Sequence, residues 1–417
     1  MMPVSPSSYK VADQLNSIDL TDLDLFTHGD PLEVWSILRQ EDPIFWNESS
    51  SGDGFWALTR YADVHHAYLE KGVFSSASGT ILGGSYQKEK DSASGKMLIC
   101  SDQPEHPKLR KNARCAFNAS IMESAARNIE SNLDSAFERL LTDGGGDFAH
   151  DIARELPAGF LTAMFGVSRS DAETLLLLTE KMIGIQDESF SCANTEIALA
   201  ATQLEILDMM DDLLSRTRRY RDSSEETLIS ILADSGMTDE EILYNGLNVA
   251  VGGNETTPYT ACAEIVALSD WPDQADDLYR NPDISGSAVE EILRWSSTNA
   301  YVQRTATQDI EMEGKLISKG DSVTLWNASA NRDELVFDNP NKLDFRRSPN
   351  PHLAFGVGPH RCIGAKVAQM EIKLFTDYLV RNQIRLAPTS GASRLRSNFM
   401  LGYTSLPVEV VTTSNDN

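Results

Sequence analysis

Late in the 417-residue chain, Phe355-Gly-Val-Gly-Pro-His-Arg-Cys-Ile-Gly runs directly into Ala365-Lys-Val-Ala-Gln-Met-Glu-Ile-Lys-Leu-Phe, a tight loop followed by a helix pattern. Gly356, Gly358 and Pro359 demand a non-repetitive turn, because glycine reaches backbone angles closed to other residues and proline fixes its own. The turn presents a single cysteine, Cys362, at the start of a helix. Unpaired N–H groups and the positive end of the helix dipole meet there, and both stabilise a thiolate. Gly364 lets a flat group or another backbone come close. The alternative is an inert cysteine in an ordinary turn, the commoner fate of a lone cysteine.

Upstream, residues 119–141, 170–185, 196–220, 239–268 and 287–295 carry apolar residues at three- and four-residue spacing, which predicts helices. Short β-branched or alternating pieces at Phe55–Thr59, Val302–Ala306, Ile310–Leu325 and Pro407–Val411 predict strands. The expected fold is mainly α with small peripheral β-sheets. No fixed-period repeat and no Pro-, Gly- or Ser-rich linker divides the chain, so one domain over residues 1–417 is expected. The net charge of -26 repels nucleic acid and anionic membrane surfaces. No apolar run is long enough to span a bilayer, and Met1–Phe26 lacks the basic and apolar regions of a signal peptide. A monomeric, cytoplasmic protein is expected. Cysteines at 100, 115, 192, 262 and 362 form no Cys-x-x-Cys pair, which argues against a disulfide framework or structural zinc.

Further segments invite a functional reading. Thr238-Asp-Glu-Glu241 is a capping box opening a long helix that carries Val251-Gly-Gly-Asn-Glu-Thr-Thr257. Two glycines inside a helix cost about 1 kcal/mol each relative to alanine, and a ligand against the backbone would offset that. Pro258 follows, and should kink or widen the helix. Ser287-Ala-Val-Glu290 reads as a second capping box ahead of Glu291-Ile-Leu-Arg294; Glu and Arg three apart share a face, but on a surface such a pair is worth little. The Ser- and Gly-rich loop from Ser75 to Lys96 is either a solvated connection or a lid whose apolar contacts are Ile81 and Leu82.

Phe355, Gly358, His360, Cys362 and Gly364 resemble the haem-thiolate loop of cytochrome P-450 enzymes of the soluble bacterial type. The resemblance implies the fold of that family, one haem b, and Cys362 as the thiolate ligand of its iron. Glu291, Arg294 and Arg347, the last from Phe345-Arg-Arg347, resemble the family's trio that folds the haem-bearing side. Gly252-Gly-Asn-Glu-Thr256 is similar to its distal helix segment, making Glu255 the acid and Thr256 the alcohol, with Gly252 where alanine is commoner. Asp102-Gln-Pro-Glu-His106-Pro-Lys-Leu-Arg110 and Val302-Gln-Arg304 resemble the stretches that supply His106, Arg110 and Arg304 to the propionates, joined by His360.

The resemblance implies a monooxygenase that inserts one atom of dioxygen into a small organic substrate by hydroxylation or epoxidation. Thr256 would hold a hydrogen-bonded water and Glu255 would connect it to solvent. The substrate pocket is expected at Ile81, Leu82, Val249, Gly252, Asn299, Ala300, Met400 and Leu401. Tailoring of a secondary metabolite is the family's habit. Electrons are expected from ferredoxin and ferredoxin reductase, docking on a basic patch of Lys108, Arg110, Lys111, Arg114, Arg361, Lys366 and Lys373. Alternatives are a peroxide-using relative, a non-catalytic haem sensor, and a helical scaffold without haem.

Overall fold

Helix ends follow the capping chemistry of the sequence in a computed structural model that describes residues 15–48, 54–70, 72–82, 92–184, 187, 195–220 and 226–411. Helix α1 is Glu105–Arg114. Helix α2, Ala119–Asp143, opens on Asn118, whose side chain accepts the Ile121 N–H, and closes on left-handed Gly144. Then come α3 (Glu155–Phe165), α4 (Arg169–Ile183, capped by Ser168) and α5 (Thr195–Arg219). Helix α6 spans Asp239–Asn254 and α7 Thr256–Asp270; α8 is Ser285–Ser296 and α9 Ala365–Arg381.

The capping box at Thr238 and Glu241 forms as expected. The one at Ser287 and Glu290 does not. Helix α8 already begins at Ser285, Ser287 donates to the Ile284 carbonyl, and Glu290 is drawn away by His352 and Gln369. The helix expected over 239–268 is two helices that meet at Glu255. Pro258 explains the break, because it lacks the N–H that would bond the carbonyl of Asn254.

Strands β1 (Ile44–Asn47), β2 (Phe55–Leu58), β3 (Phe74–Ser75), β4 (Val302–Ala306) and β5 (Ser322–Leu325) form one sheet in the order β1-β2-β5-β4-β3. Only the β2–β5 pair in it is parallel. The strand expected across 310–325 is interrupted. Ile310–Met312 and Lys315–Ile317 form a hairpin about Glu313 and Gly314, both at positive φ, before β5 begins. Gly145–Asp147, Leu386–Pro388 and Pro407–Val410 make a separate three-stranded sheet.

Two apolar clusters divide the helices. Ile129 and Phe137 of α2 pack with Ile265 of α7, Ile292 of α8 and Phe375 of α9. Phe160 of α3, Leu175 of α4, Met210 of α5 and Leu247 of α6 form the other. The break at Glu255 therefore separates a helix seated in one core from a helix seated in the other.

The Glu-x-x-Arg pair is fully buried rather than superficial. Both Glu291 and Arg294 have no exposed side-chain surface, and Arg294 holds Glu291 with two bonds of 2.8 and 2.7 Å. Arg294 also donates to the carbonyls of Asn331 and Pro340. Arg347, Asn350 and the Asp344 N–H complete the shell around the Glu291 carboxylate. Arg346 instead pairs with Asp277 at the surface. The trio thus pins α8 to the irregular 338–350 segment that leads into the cysteine loop.

Candidate active site

Glycine makes the cysteine loop possible. Gly356 and Gly358 take φ of 60° and 75°, and a Cβ on Gly358 would lie 2.9 Å from the Tyr68 carbonyl oxygen. The Cys362 N–H donates to the Phe355 carbonyl at 2.9 Å, fixing the turn. The exposed side chain of Cys362 opens onto a cavity of about 410 Å³. Burial pushes its thiol up, while the N–H groups of Gly364 and Ala365 and the charges of Arg110 and Arg361 pull it down. The donor set favours the thiolate once a cation stands beside the sulfur.

His106, Arg110, Arg304 and His360 line the same cavity. The two imidazoles lie 4.0 Å apart between ring centroids. Arg110 reaches across to the Arg361 carbonyl at 2.6 Å, joining α1 to the cysteine loop, and Arg304 on β4 is buried beside Tyr68. Among the described residues neither arginine has a carboxylate within ion-pair distance, and His106 Nε2 is buried without a partner. Buried positive groups left in this state call for an anion. The sequence led us to expect four cations here. Burial, with Arg304, His106 and Arg110 nearby, pushes His360 down to about 3, and burial together with Arg110 lowers His106. Burial thus disfavours the charged form of both histidines, and Arg110 and Arg304 supply the positive charge. A sulfur ligand and an anion-binding wall around one cavity fit a haem with its two propionates.

Another wall comes from α6 and α7. Thr256 and Gly252 line the cavity, whereas Glu255 does not. The adjacent glycines are required for different reasons. A Cβ at Gly252 would meet nothing within 4 Å, but one at Gly253 would strike the Phe160 ring at 2.7 Å. Only the first glycine leaves space for a ligand; the second lets α3 pack against α6. Glu255 is buried behind the wall, accepting from Tyr259 Oη at 3.3 Å while its Oε1 has no partner. Burial, reinforced by the Glu180 carboxylate, pushes Glu255 up to about 8.

Ile81, Leu82, Val249, Asn299 and Met400 also line the cavity. Ala300 and Leu401 do not: Ala300 is fully buried against Tyr301 and Trp326, and Leu401 faces that same cluster. The reason is strand-like alternation, since Asn299 and Met400 bridge each other and their successors point away. Of the lid, Thr80 and Leu82 are tied to Gln303 and Tyr301, while residues 83–91 lie outside the described residues. Sequence reasoning missed Asn248, Thr260, Thr298, Phe160 and Phe399 on the cavity wall, and Tyr259 beside the acid. Four-residue spacing from Gly252 and Glu255 was the available signal for Asn248 and Tyr259. Lys108, Lys111, Arg114, Arg361 and Lys366 are exposed, but Lys373 is occupied by Asp377.

A model of the cytochrome P450 family matches residues 286–402. The methyl-branched lipid omega-hydroxylase of Mycobacterium tuberculosis is 32% identical over 97% of this chain and 96% of its own. Linalool 8-monooxygenase of Pseudomonas putida is 30% identical over 94% of this chain and 98% of its own. The crystal structure of the P450 OxyD, involved in the biosynthesis of vancomycin-type antibiotics, superposes with a TM-score of 0.84 at 28% identity, covering 95% of this chain and 100% of that one. Among the described residues no helix is long and apolar enough to cross a membrane.

Proposed function

Because this chain belongs to the cytochrome P450 family of haem-dependent monooxygenases, we propose that it hydroxylates or epoxidises a small, largely apolar organic molecule in the tailoring of a secondary metabolite. The observation that carries this reading is Cys362, opening into a largely apolar cavity beside buried Arg304 and half-buried Arg110, neither of which has a carboxylate partner among the described residues. Bound haem supplies the activation of dioxygen; the chain supplies everything around it. Cys362 provides the thiolate, and Arg110, Arg304, His106 and His360 hold the propionates. Ile81, Leu82, Val249 and Met400 exclude water from the substrate.

Glu255 and Thr256 divide the proton work. With Glu255 pushed up to about 8, its carboxyl keeps a proton at neutral pH, and Tyr259 fixes its orientation. Thr256 Oγ1, on the cavity side, holds the water that passes protons inward. Electrons enter from a ferredoxin and its reductase. The exposed Lys108, Lys111, Arg114, Arg361 and Lys366 offer an acidic ferredoxin a basic landing point on a chain of net charge -26.

Reduction of the haem-loaded protein under carbon monoxide tests the reading. A Soret maximum at the position diagnostic of thiolate ligation is expected, and its loss in Cys362→His with haem retained. A wild-type spectrum of the histidine-ligated kind would overturn it.

A further inference from the structure

Asn248, Gly252 and Thr256 recur at every fourth position along α6 and the start of α7, which places them on one helix face. All three line the cavity. The strip between the outer two is open, since a Cβ at Gly252 would meet nothing within 4 Å. Around them, polar side chains are already engaged. Asn245 bonds the Leu98 N–H and the Lys96 carbonyl, Thr260 pairs with Thr298, Ser397 accepts the N–H groups of Phe399 and Met400, and Asn398 bonds Leu20. The Asn248 carboxamide is half-buried and, among the described residues, has no hydrogen-bond partner. A leucine would fill the same place without the cost of withdrawing an amide from water.

We propose that Asn248 is a specificity-determining residue that hydrogen-bonds one neutral oxygen, carbonyl or hydroxyl, on an otherwise apolar substrate. That oxygen lies about 12 Å, eight residues at about 1.5 Å each, along the helix face from Thr256. A carboxamide both donates and accepts, so either oxygen type suits it. A carboxylate does not. Among the described residues, the cationic side chains lining the cavity, Arg110, Arg304 and Arg361, belong with the two histidines to the Cys362 side, so an ionised acid at Asn248 would lose its hydration without gaining a counter-charge from them. This rests on the monooxygenase reading for the identity of the cavity.

The test uses haem-loaded protein and straight-chain ligands of eight to fourteen carbons in four matched forms: methyl ketone, primary alcohol, alkane and carboxylate. Dissociation constants come from calorimetry and, in parallel, from the spin-state shift of the Soret band. The ketone and alcohol are expected to bind best, and Asn248→Leu to weaken them about three- to tenfold while leaving the alkane unchanged or tighter. Asn248→Gln should retain part of the preference. Equal binding of all four forms, preference for the carboxylate, no binding of any ketone or alcohol, or ketone affinity unmoved in Asn248→Leu would each overturn the proposal. Should the variants fail to fold, the wild-type order of the four forms decides. Failure of the monooxygenase reading shows separately, as a wrong carbon monoxide spectrum with calorimetric preferences intact.

Discussion

Glu291 and Glu255 are both buried, at 0% and 2% exposure, yet they are opposites. Glu291 sits inside a shell of two arginines, one asparagine and a backbone N–H, so its charge is matched on every side. Glu255 has one tyrosine hydroxyl, an unpartnered oxygen and a second carboxylate nearby, and responds by keeping its proton. The difference lies in what surrounds them. A matched buried charge fixes geometry; an unmatched one is a proton store.

The comparison breaks most dramatically at Arg294. Arg294→Ala leaves Glu291 buried without its main partner, a cost of about 3–5 kcal/mol that consumes much of a typical stability margin. Denaturant unfolding should show it, with Arg294→Lys failing to restore the bidentate contact. A loss below 1 kcal/mol would mean that Glu291 finds another neutralising arrangement.

At Glu255 the expected effect is on chemistry. Glu255→Gln should keep haem content but slow product formation about a hundredfold, and Thr256→Ala should divert electrons from product with ligand binding intact. Product-to-NADPH ratios check both; unchanged coupling in Thr256→Ala would remove that residue from the proton path.

The smallest effect isolates burial from function. Glu264 lies away from the cavity, accepts from Thr376, has one oxygen without a partner, and is pushed up to about 8 by burial. Below pH 4.5 folded and unfolded chains both carry its proton. As pH rises toward 8, only the unfolded chain releases it, and stability falls. Glu264→Gln should therefore stabilise by about 1–3 kcal/mol at pH 8 and by little at pH 4.5, as read from unfolding midpoints. A gain independent of pH would show that ionisation is not its origin.

The cysteine loop was legible because its constraints are contiguous: glycines, proline and cysteine at fixed spacing leave one shape. The Thr238 cap and a distortion at Pro258 were legible because each follows from backbone chemistry at a single position, whereas the full division into two helices was not. Burial of Arg294 was not, since an i, i+3 pair reads the same on a surface, and its other partners come from residues 331, 340 and 347. The lowering of His106 and His360 comes first from their burial, which no linear spacing reveals. Ala300 and Leu401 were misplaced because short irregular strands show no reliable alternation until their partners are known. The charged composition of Glu105–Arg114 concealed a helix, and the two-residue strand Phe74–Ser75 exists only through β4.

The discontinuity at Glu255 has a mechanical consequence. A single rod would transmit every side-chain change along its whole length. Here each piece is gripped by its own apolar mass, so bulk altered at Asn248 or Val249 is absorbed within α6, while Thr256 stays where α7 holds it. Under the proposed roles, substrate choice could thus be retuned on one segment without misaligning the hydroxyl on the next.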